Sequence, residues 1–276
     1  VGTNQKVNNV LRTLHFRINN RRFANYEKAL HYVEQTIFTC PEAFLTHVED
    51  IISTIKTLHA ILTNDLPDQQ TITPGKFRTT EKILSNLAAT NDVLTHVKSI
   101  LSSQDYELFE PSYHRFISSN SVNTFTDSER KLWSKCFIIP TAPTKVKAEL
   151  TAFAQDLIVR LRRDFSESTP VILNRKQASI ELASFVHTEL IRIHPFLIAN
   201  GRLARILMNT VLHYFGGYDP VIIDNEGNYK KAVAQSMHTP QAFTDYLANH
   251  LIPWTQAQAQ VLSRDNEYTT LYRSML

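Results

Sequence analysis

Apolar side chains recur at helical spacing along most of this chain. In residues 42–63 they occupy positions 44, 48, 51, 52, 55, 58, 61 and 62, a pattern typical of an amphipathic helix with one buried face. The same spacing predicts helices at 23–38, 86–102, 106–118, 126–133, 144–163, 176–193, 201–215, 227–237 and 239–252, with a further helix and tail at 255–276. We therefore expect an all-α, mainly helical fold.

Turn and cap signals divide the helical pattern. Helix breaks are expected at Pro67, Pro74–Gly75 and Gly216–Gly217. Thr126 and Glu129 have the spacing of a capping box at a helix start. Two short segments, 76–84 and 137–140, are predicted to be strands, the second ending at a proline.

Composition places the chain among ordinary soluble globular proteins. It has 276 residues, of which 43% are hydrophobic and 20% charged. The net charge is only +3 and the basic residues are scattered, so a nucleic-acid partner is not expected. No apolar run is long enough to predict a membrane span. Two cysteines outside any metal-ligand spacing favour a reduced cytosolic environment, or delivery into a host cytosol, and exclude a disulfide scaffold.

The chemistry is concentrated between residues 194 and 205. His194 follows a predicted helix that Pro195 ends, and its ordinary pKa of about 6.5 suits a general base. Asn200–Gly201 predicts a tight turn with positive φ, followed at once by a helix carrying Arg202 and Arg205 on one face.

A turn that leads into a helix N-terminus offers free N–H groups to an anion, and two arginines there oppose the helix dipole unless an anion or solvent compensates them. Taken singly, each feature has a structural explanation: a helix cap, a common turn, or exposed arginines. Phe196 is expected to be an apolar pin that fixes the turn.

Together these residues resemble the Fic family, whose motif runs His-x-Phe-x-(Asp/Glu)-Gly-Asn-Gly-Arg-x-x-Arg. The similarity extends upstream to His187 and downstream to the Gly217–Ile223 segment. The Pro74–Thr80 segment resembles the entrance to the family's flap, and Ile138–Pro140 resembles its exit. The resemblance spans residues from about 45 to 252.

The resemblance implies a Fic-type helical bundle with a small β-hairpin flap over the active site. It divides the chain into an N-terminal helical segment (1–44), a core (45–254) with a flap insertion at about 85–135, and a C-terminal helix or tail (255–276).

The family's usual activity is the transfer of AMP from ATP to a Ser, Thr or Tyr hydroxyl of a target protein. By this resemblance His194 is the general base. The residues expected to bind phosphate or nucleotide are Ala199, Asn200, Gly201, Arg202, Arg205, Tyr229 and Lys230. The flap residues expected to align the target are Thr79, Thr80, Ile83 and Ile138.

Several positions depart from the family pattern. Ile198 stands where the motif has its metal-binding acid, and an isoleucine cannot ligate a hard cation. Mg²⁺ dependence is therefore left open, with Asp224 or Glu226 as substitutes. Ala199 replaces a glycine.

The base-binding and regulatory segments depart as well. Lys230 replaces the second of two tyrosines, and Met237 lies near the position of an asparagine. The family's inhibitory motif, (Ser/Thr)-x-x-x-Glu-(Gly/Asn), has no match. The flap insertion is interpreted either as a target-docking or nucleotide-selecting subdomain, or as a tolerated surface elaboration.

These departures leave several functions open. The first is a Fic-type transferase using ATP or another nucleotide donor, including phosphocholine transfer from CDP-choline. The second is ordinary AMP transfer with Mg²⁺ held by another acid. The third is a catalytically impaired Fic-fold binding module. A homo-oligomer or a regulatory partner chain is possible in each case.

Overall fold

The protein is represented by a computed structural model that describes residues 20–38, 46–66, 72–80, 92–119, 125–165, 172–218, 221 and 226–251. Ten α-helices lie in this part of the chain. They are α1 (Asn20–Val33, continued by a π-helix at Glu34–Phe38), α2 (Val48–Thr63), α3 (Asp92–Ile100), α4 (Ser103–Ser119), α5 (Asp127–Trp133), α6 (Val146–Phe165), α7 (Ile172–Ile193), α8 (Asn200–Gly216), α9 (Glu226–Ser236) and α10 (Gln241–His250). The expected mainly helical fold class is confirmed.

The main hydrophobic core is built around the helix pair α7 and α8. Leu182, Leu190 and Ile193 of α7 and Leu203 and Leu212 of α8 are almost completely buried. Helices α2, α6 and α10 pack on this pair, and α1 packs on α2. The loop that joins α7 to α8, residues 194–199, is thereby held at the centre of the molecule.

The ends of α7 and α8 follow from local sequence. Helix α7 ends at Ile193, because the residue before Pro195 disfavours the helical region. Helix α8 ends at Gly216, and Gly217 caps it with a φ of 63°. Both ends were expected from the sequence.

A second hydrophobic core lies in the segment predicted to be a flap insertion, which is called the insertion below. Helices α3, α4 and α5 surround a cluster of aromatic rings centred on Phe109 and Trp133. The Trp133 indole N–H donates to Ser112 Oγ at 2.7 Å, so the one polar atom of this buried ring is satisfied. The predicted capping box of Thr126 and Glu129 is present at the start of α5. The insertion therefore has the apolar interior of a small subdomain.

The segment after α5 connects the two cores. Phe137 and Ile139 belong to the insertion's core, whereas Ile138, between them, packs against the main core. The backbone N–H of Phe137 bonds to Trp133 O and that of Thr141 bonds to Arg192 O. The insertion is thus anchored directly beside the end of α7.

The prediction of two flap strands is wrong for the residues that the structure describes. Residues 76–80 and 137–140 form no β-strand, and Ile138 makes only an isolated bridge. The physical reason is that Arg78 N–H bonds to Pro195 O in the α7–α8 loop and Phe137 N–H bonds within a helical turn, so neither is available to a ladder. Ile83 and Leu84 lie outside the described residues.

Other expectations fall largely on undescribed residues. The N-terminal segment to residue 19 and the predicted helix and tail at 255–276 lie there. In the part of the chain that the structure describes, no helix combines the length and apolar character needed to cross a membrane.

Replacing Phe109 with alanine should open the insertion alone. Phe109 is fully buried among the rings of Trp133, Tyr113 and Phe137, and a buried Phe→Ala change costs about 3–5 kcal/mol. Because the insertion has its own core, hydrogen exchange measured by mass spectrometry should accelerate in α3–α5 and stay unchanged in α7 and α8.

Leu108→Ala is the matched control, since this neighbouring side chain is 63% exposed and its truncation should leave exchange in both regions unchanged. Equal acceleration in α7 and α8 for Phe109→Ala would show that the two cores unfold as one unit.

Candidate active site

The α7–α8 loop is conformationally strained at both ends. Three residues other than glycine have positive φ in the described part of the chain, and two of them, His194 (48°) and Ala199 (65°), begin and end this loop. Such left-handed conformations cost about 1–2 kcal/mol for residues with a Cβ, and they cluster where a structure must aim a functional group. The surrounding contacts therefore have to hold this loop in shape.

Asn200 holds the loop from inside. Its Oδ1 accepts from Phe196 N at 3.0 Å, and its Nδ2 donates to Phe196 O at 2.8 Å. The side chain is almost fully buried, so the carboxamide spans the loop, and any phosphate contact of this residue has to come from its backbone N–H. The prediction of positive φ at Asn200–Gly201 is wrong. Ala199 takes the left-handed conformation, and Asn200 already begins α8.

Arg78 fixes the end of α7 and was not identified from the sequence. Its Nε donates to His194 O at 2.6 Å, and its two terminal nitrogens donate to the carbonyls of Thr80, Thr141 and Ile193. The guanidinium is buried, and its donors satisfy carbonyls that the end of a helix leaves open. Arg78 thus sets the position of His194, while His194 N–H closes the last turn of α7 on Leu190 O at 3.0 Å.

His59 supports the loop from α2 and was likewise missed. Its ring stacks on Phe196 with the centroids 3.8 Å apart, and Nδ1 accepts the Gly75 N–H at 2.9 Å. Burial, reinforced by the charge of Arg202, lowers the pKa of His59 to about 4. His59 is therefore neutral at physiological pH. The available signal was a histidine within the apolar face of α2. Phe196, fully buried against this ring, has the expected role of an apolar pin.

The start of α8, which follows His194 across the α7–α8 loop, forms a basic site. The first backbone bond of the helix runs from Leu203 N to Ala199 O, so the N–H groups of Asn200, Gly201 and Arg202 precede any helical acceptor. Arg202 Nη1 reaches Leu62 O at 3.4 Å, and Arg205 Nη1 reaches Tyr229 Oη at 3.4 Å.

Neither arginine has a carboxylate partner among the described residues. This is unusual within the protein, because Arg192, only two residues before His194, pairs with both Glu149 and Glu189. Burial, and after it the charges of Arg22 and Arg205, lower the pKa of Arg202 to about 10. It still carries its charge at pH 7. The site thus combines unshared N–H groups with two positive charges, the chemistry of an anion site.

The residues of the predicted base-binding segment, Tyr229, Lys230 and Met237, lie in different environments. Tyr229 is buried, and its hydroxyl lies 2.8 Å from His187 Nε2 and 3.4 Å from Arg205 Nη1. Tyr229 therefore faces the arginine site. Lys230 is half-buried on α9. Met237 lines an open cleft of about 460 Å³ between α7 and the α9–α10 turn, together with Arg192 and Ser236. The cleft's lining does not include the residues of the loop or the start of α8.

The flap residues are only partly described. Thr79 and Thr80 are exposed, while Ile138 is half-buried against the main core. Ile83 lies outside the described residues, so the predicted alignment of a target by these four side chains stays a prediction.

The described residues do not fit a divalent cation. Ile198 offers no ligand atom, and no group of three His, Cys, Asp or Glu side chains converges within the described ranges. Asp224 lies outside them, and the side chain of Glu226 is not described. No catalytic step is therefore assigned to a metal.

Comparison with known proteins points to one family. The model of the Fic/DOC family matches residues 112–212. The protein adenylyltransferase Fic of Aedes aegypti is 45% identical over 62 residues, which cover 21% of this chain and 12% of that protein. The protein adenylyltransferase Fic of Nematostella vectensis is 34% identical over 102 residues, covering 36% and 21% respectively.

The chain thus matches between about one eighth and one fifth of the length of these relatives. Among solved structures, a Fic domain containing signaling protein from Bacteroides thetaiotaomicron superposes with a TM-score of 0.47 and 17% identity, over 92% of this chain and 72% of that one.

Replacing Ala199 with glycine should stabilise the protein. Glycine adopts a φ of 65° without the Cβ clash, and this gain exceeds its entropic cost, for a net gain of about 0.5–1 kcal/mol. Urea unfolding followed by circular dichroism measures the change. Ala148→Gly, on the exposed face of α6, is the control and should destabilise by about 1 kcal/mol. Equal destabilisation by both substitutions would contradict the strain at Ala199.

Acidification should destabilise the fold through two buried histidines. Burial lowers the pKa of His59 to about 4 and that of His187 to about 3, from an ordinary 6.5. Below pH 6.5 the unfolded chain binds these protons and the folded chain does not. The free energy of unfolding should therefore fall between pH 6.5 and 4, by about 1.4 kcal/mol per pH unit for each histidine.

Urea unfolding at pH 7, 6 and 5 measures this slope. His59→Asn should remove about half of it, whereas His238→Asn, at an exposed position, should leave it intact. An unchanged slope in His59→Asn would contradict the neutral, buried state of His59.

Proposed function

We propose that this chain, whose residues 112–212 match the model of the Fic/DOC family, is a Fic-type transferase. It moves a nucleotidyl or other phosphate-linked group from a nucleotide donor to a Ser, Thr or Tyr hydroxyl of a target protein. The observation that carries the proposal is the pair of arginines at the start of α8, which follow His194 across the α7–α8 loop and have no carboxylate partner in the described part of the chain. A binding site for a phosphate chain needs this arrangement.

The proposed roles follow from the geometry of the loop. His194 takes the proton of the target hydroxyl as its oxygen attacks the donor's phosphorus. A bond forms between that oxygen and phosphorus, and the bond to the leaving phosphate oxygen breaks. Arg202, Arg205 and the first N–H groups of α8 bind the phosphates and neutralise the charge on the departing group. Arg78 and Asn200 position His194 and the loop without touching the reacting atoms.

The donor nucleotide is a separate part of the proposal. The names of the two relatives favour AMP as the transferred group. Ile198, Lys230 and Met237 favour a donor other than ATP, because they replace groups that would hold a metal and an adenine. A phosphocholine-linked nucleotide such as CDP-choline is the alternative that leaves the proposed roles of His194 and the arginines unchanged.

Mass spectrometry of a lysate incubated with the chain tests the function. The lysate receives stable-isotope-labelled ATP, other nucleoside triphosphates or CDP-choline in separate reactions, and the labelled mass added to a Ser, Thr or Tyr identifies the donor. His194→Ala should lower the rate about 100- to 10,000-fold, which is the usual contribution of a general base.

His238→Ala, at an exposed turn, should retain the wild-type rate. Modification that is unaffected by His194→Ala would contradict the proposed mechanism. The absence of any labelled product with every donor would favour the binding-module alternative.

A further inference from the structure

Arg205 is held by a hydroxyl rather than by a carboxylate. Its Nη1 donates to Tyr229 Oη at 3.4 Å, and its guanidinium lies over the Tyr229 ring, 5.8 Å from the centroid. Each contact is weak alone, but both come from one side chain and restrict the guanidinium together.

Tyr229 is itself fixed by a buried histidine. Its hydroxyl lies 2.8 Å from His187 Nε2, and the His187 ring stacks on Phe243 with the centroids 4.3 Å apart. His187 has no exposed surface, and burial holds its pKa at about 3, so the imidazole is neutral. Because arginine can only donate, the Tyr229 oxygen accepts from Arg205 and its own hydrogen is available to His187 Nε2.

A second neutral group flanks the arginines. Tyr26 of α1 is buried, and its hydroxyl interacts electrostatically with Arg205 and Arg202. Burial nevertheless raises its pKa, so Tyr26 remains uncharged. Both tyrosines thus approach the arginines without cancelling their charge, whereas a carboxylate would hold an arginine more tightly and neutralise it.

We propose that Tyr229, oriented by His187, is a positioning residue that holds Arg205 in place for an anion while leaving its charge uncompensated. The inference rests on the proposed function, because it takes Arg205 to bind the donor's phosphates. It also reassigns Tyr229. The resemblance implies contact with the nucleobase, but this hydroxyl is committed to His187 and Arg205, on the phosphate side of the site.

Calorimetric titration with inorganic pyrophosphate tests this positioning role. The wild-type chain should bind pyrophosphate, and Arg205→Ala should abolish measurable binding. Tyr229→Phe keeps the ring and loses the hydroxyl, so it should weaken binding about 3- to 10-fold, the effect of one neutral hydrogen bond. His187→Leu should weaken binding similarly, and the double variant should be no weaker than Tyr229→Phe, because both changes break the same chain of contacts.

Tyr246→Phe is the matched control. This buried tyrosine packs on Phe243 and on the Tyr229 ring in the same aromatic cluster, but the hydroxyl that accepts from Arg205 is that of Tyr229, so pyrophosphate affinity should change less than 2-fold. If His187→Leu fails to fold, the Tyr229→Phe variant alone tests the positioning role, since it keeps the aromatic ring of residue 229 in its packing.

A ligand-free measurement separates positioning from a general loss of stability. The Nε–Hε signal of Arg205 in a nitrogen-15 NMR spectrum, assigned with Arg205→Lys, should shift and broaden in Tyr229→Phe and stay unchanged in Tyr246→Phe. Wild-type affinity and an unchanged Arg205 signal in Tyr229→Phe would overturn the inference and leave the proposed function standing. No pyrophosphate binding by the wild-type chain would overturn both.

Discussion

The arrangement of the site depends on the buried guanidinium of Arg78. Helix α7 ends with open carbonyls in the middle of the protein, where an unsatisfied polar group costs about 1–3 kcal/mol. Arg78 donates to the carbonyls of Ile193 and His194 and also to Thr80 and Thr141. One side chain therefore joins the end of α7 to the segments before and after the insertion. These bonds stabilise the position of His194, whose left-handed conformation is otherwise unfavourable for a residue with a Cβ.

The site also depends on the absence of carboxylate partners for Arg202 and Arg205 among the described residues. Among the described residues Arg160, Arg163 and Arg192 pair with carboxylates. At the start of α8 the groups around Arg202 and Arg205 are instead carbonyls and tyrosine hydroxyls. Burial and then the charges of Arg22 and Arg205 lower the pKa of Arg202, and an anion bound here would offset that repulsion.

Local sequence was sufficient for the helices and for the position of the motif. The helical spacing of apolar residues predicted α2, α6 and α8. Pro195 and Gly217 marked helix ends that the structure confirms. The predictions that failed concern residues whose partners lie far away in the sequence. Residues 76–80 have the composition of a strand, but the Arg78 backbone bonds to a loop more than a hundred residues away.

The same limit explains the residues that were missed at the site. His59 was not identified from the sequence and His187 was noted only as part of the family resemblance, because their partners are distant in the sequence: Phe196 lies in the α7–α8 loop and Tyr229 in α9. The left-handed residue was assigned to Asn200–Gly201 because Ala199 carries no local signal for that conformation.

The bond from Arg78 to His194 spans 116 positions of sequence. Closing so long a loop is entropically costly until the intervening chain is in place, so we expect the geometry of the α7–α8 loop to form late in folding. The stretch that matches the family model, 112–212, contains the motif but neither Arg78 nor His59 nor Tyr229. An excised fragment of that length would carry every motif residue and still lack the contacts that aim them. The smallest functional unit of this protein is therefore much longer than its signature.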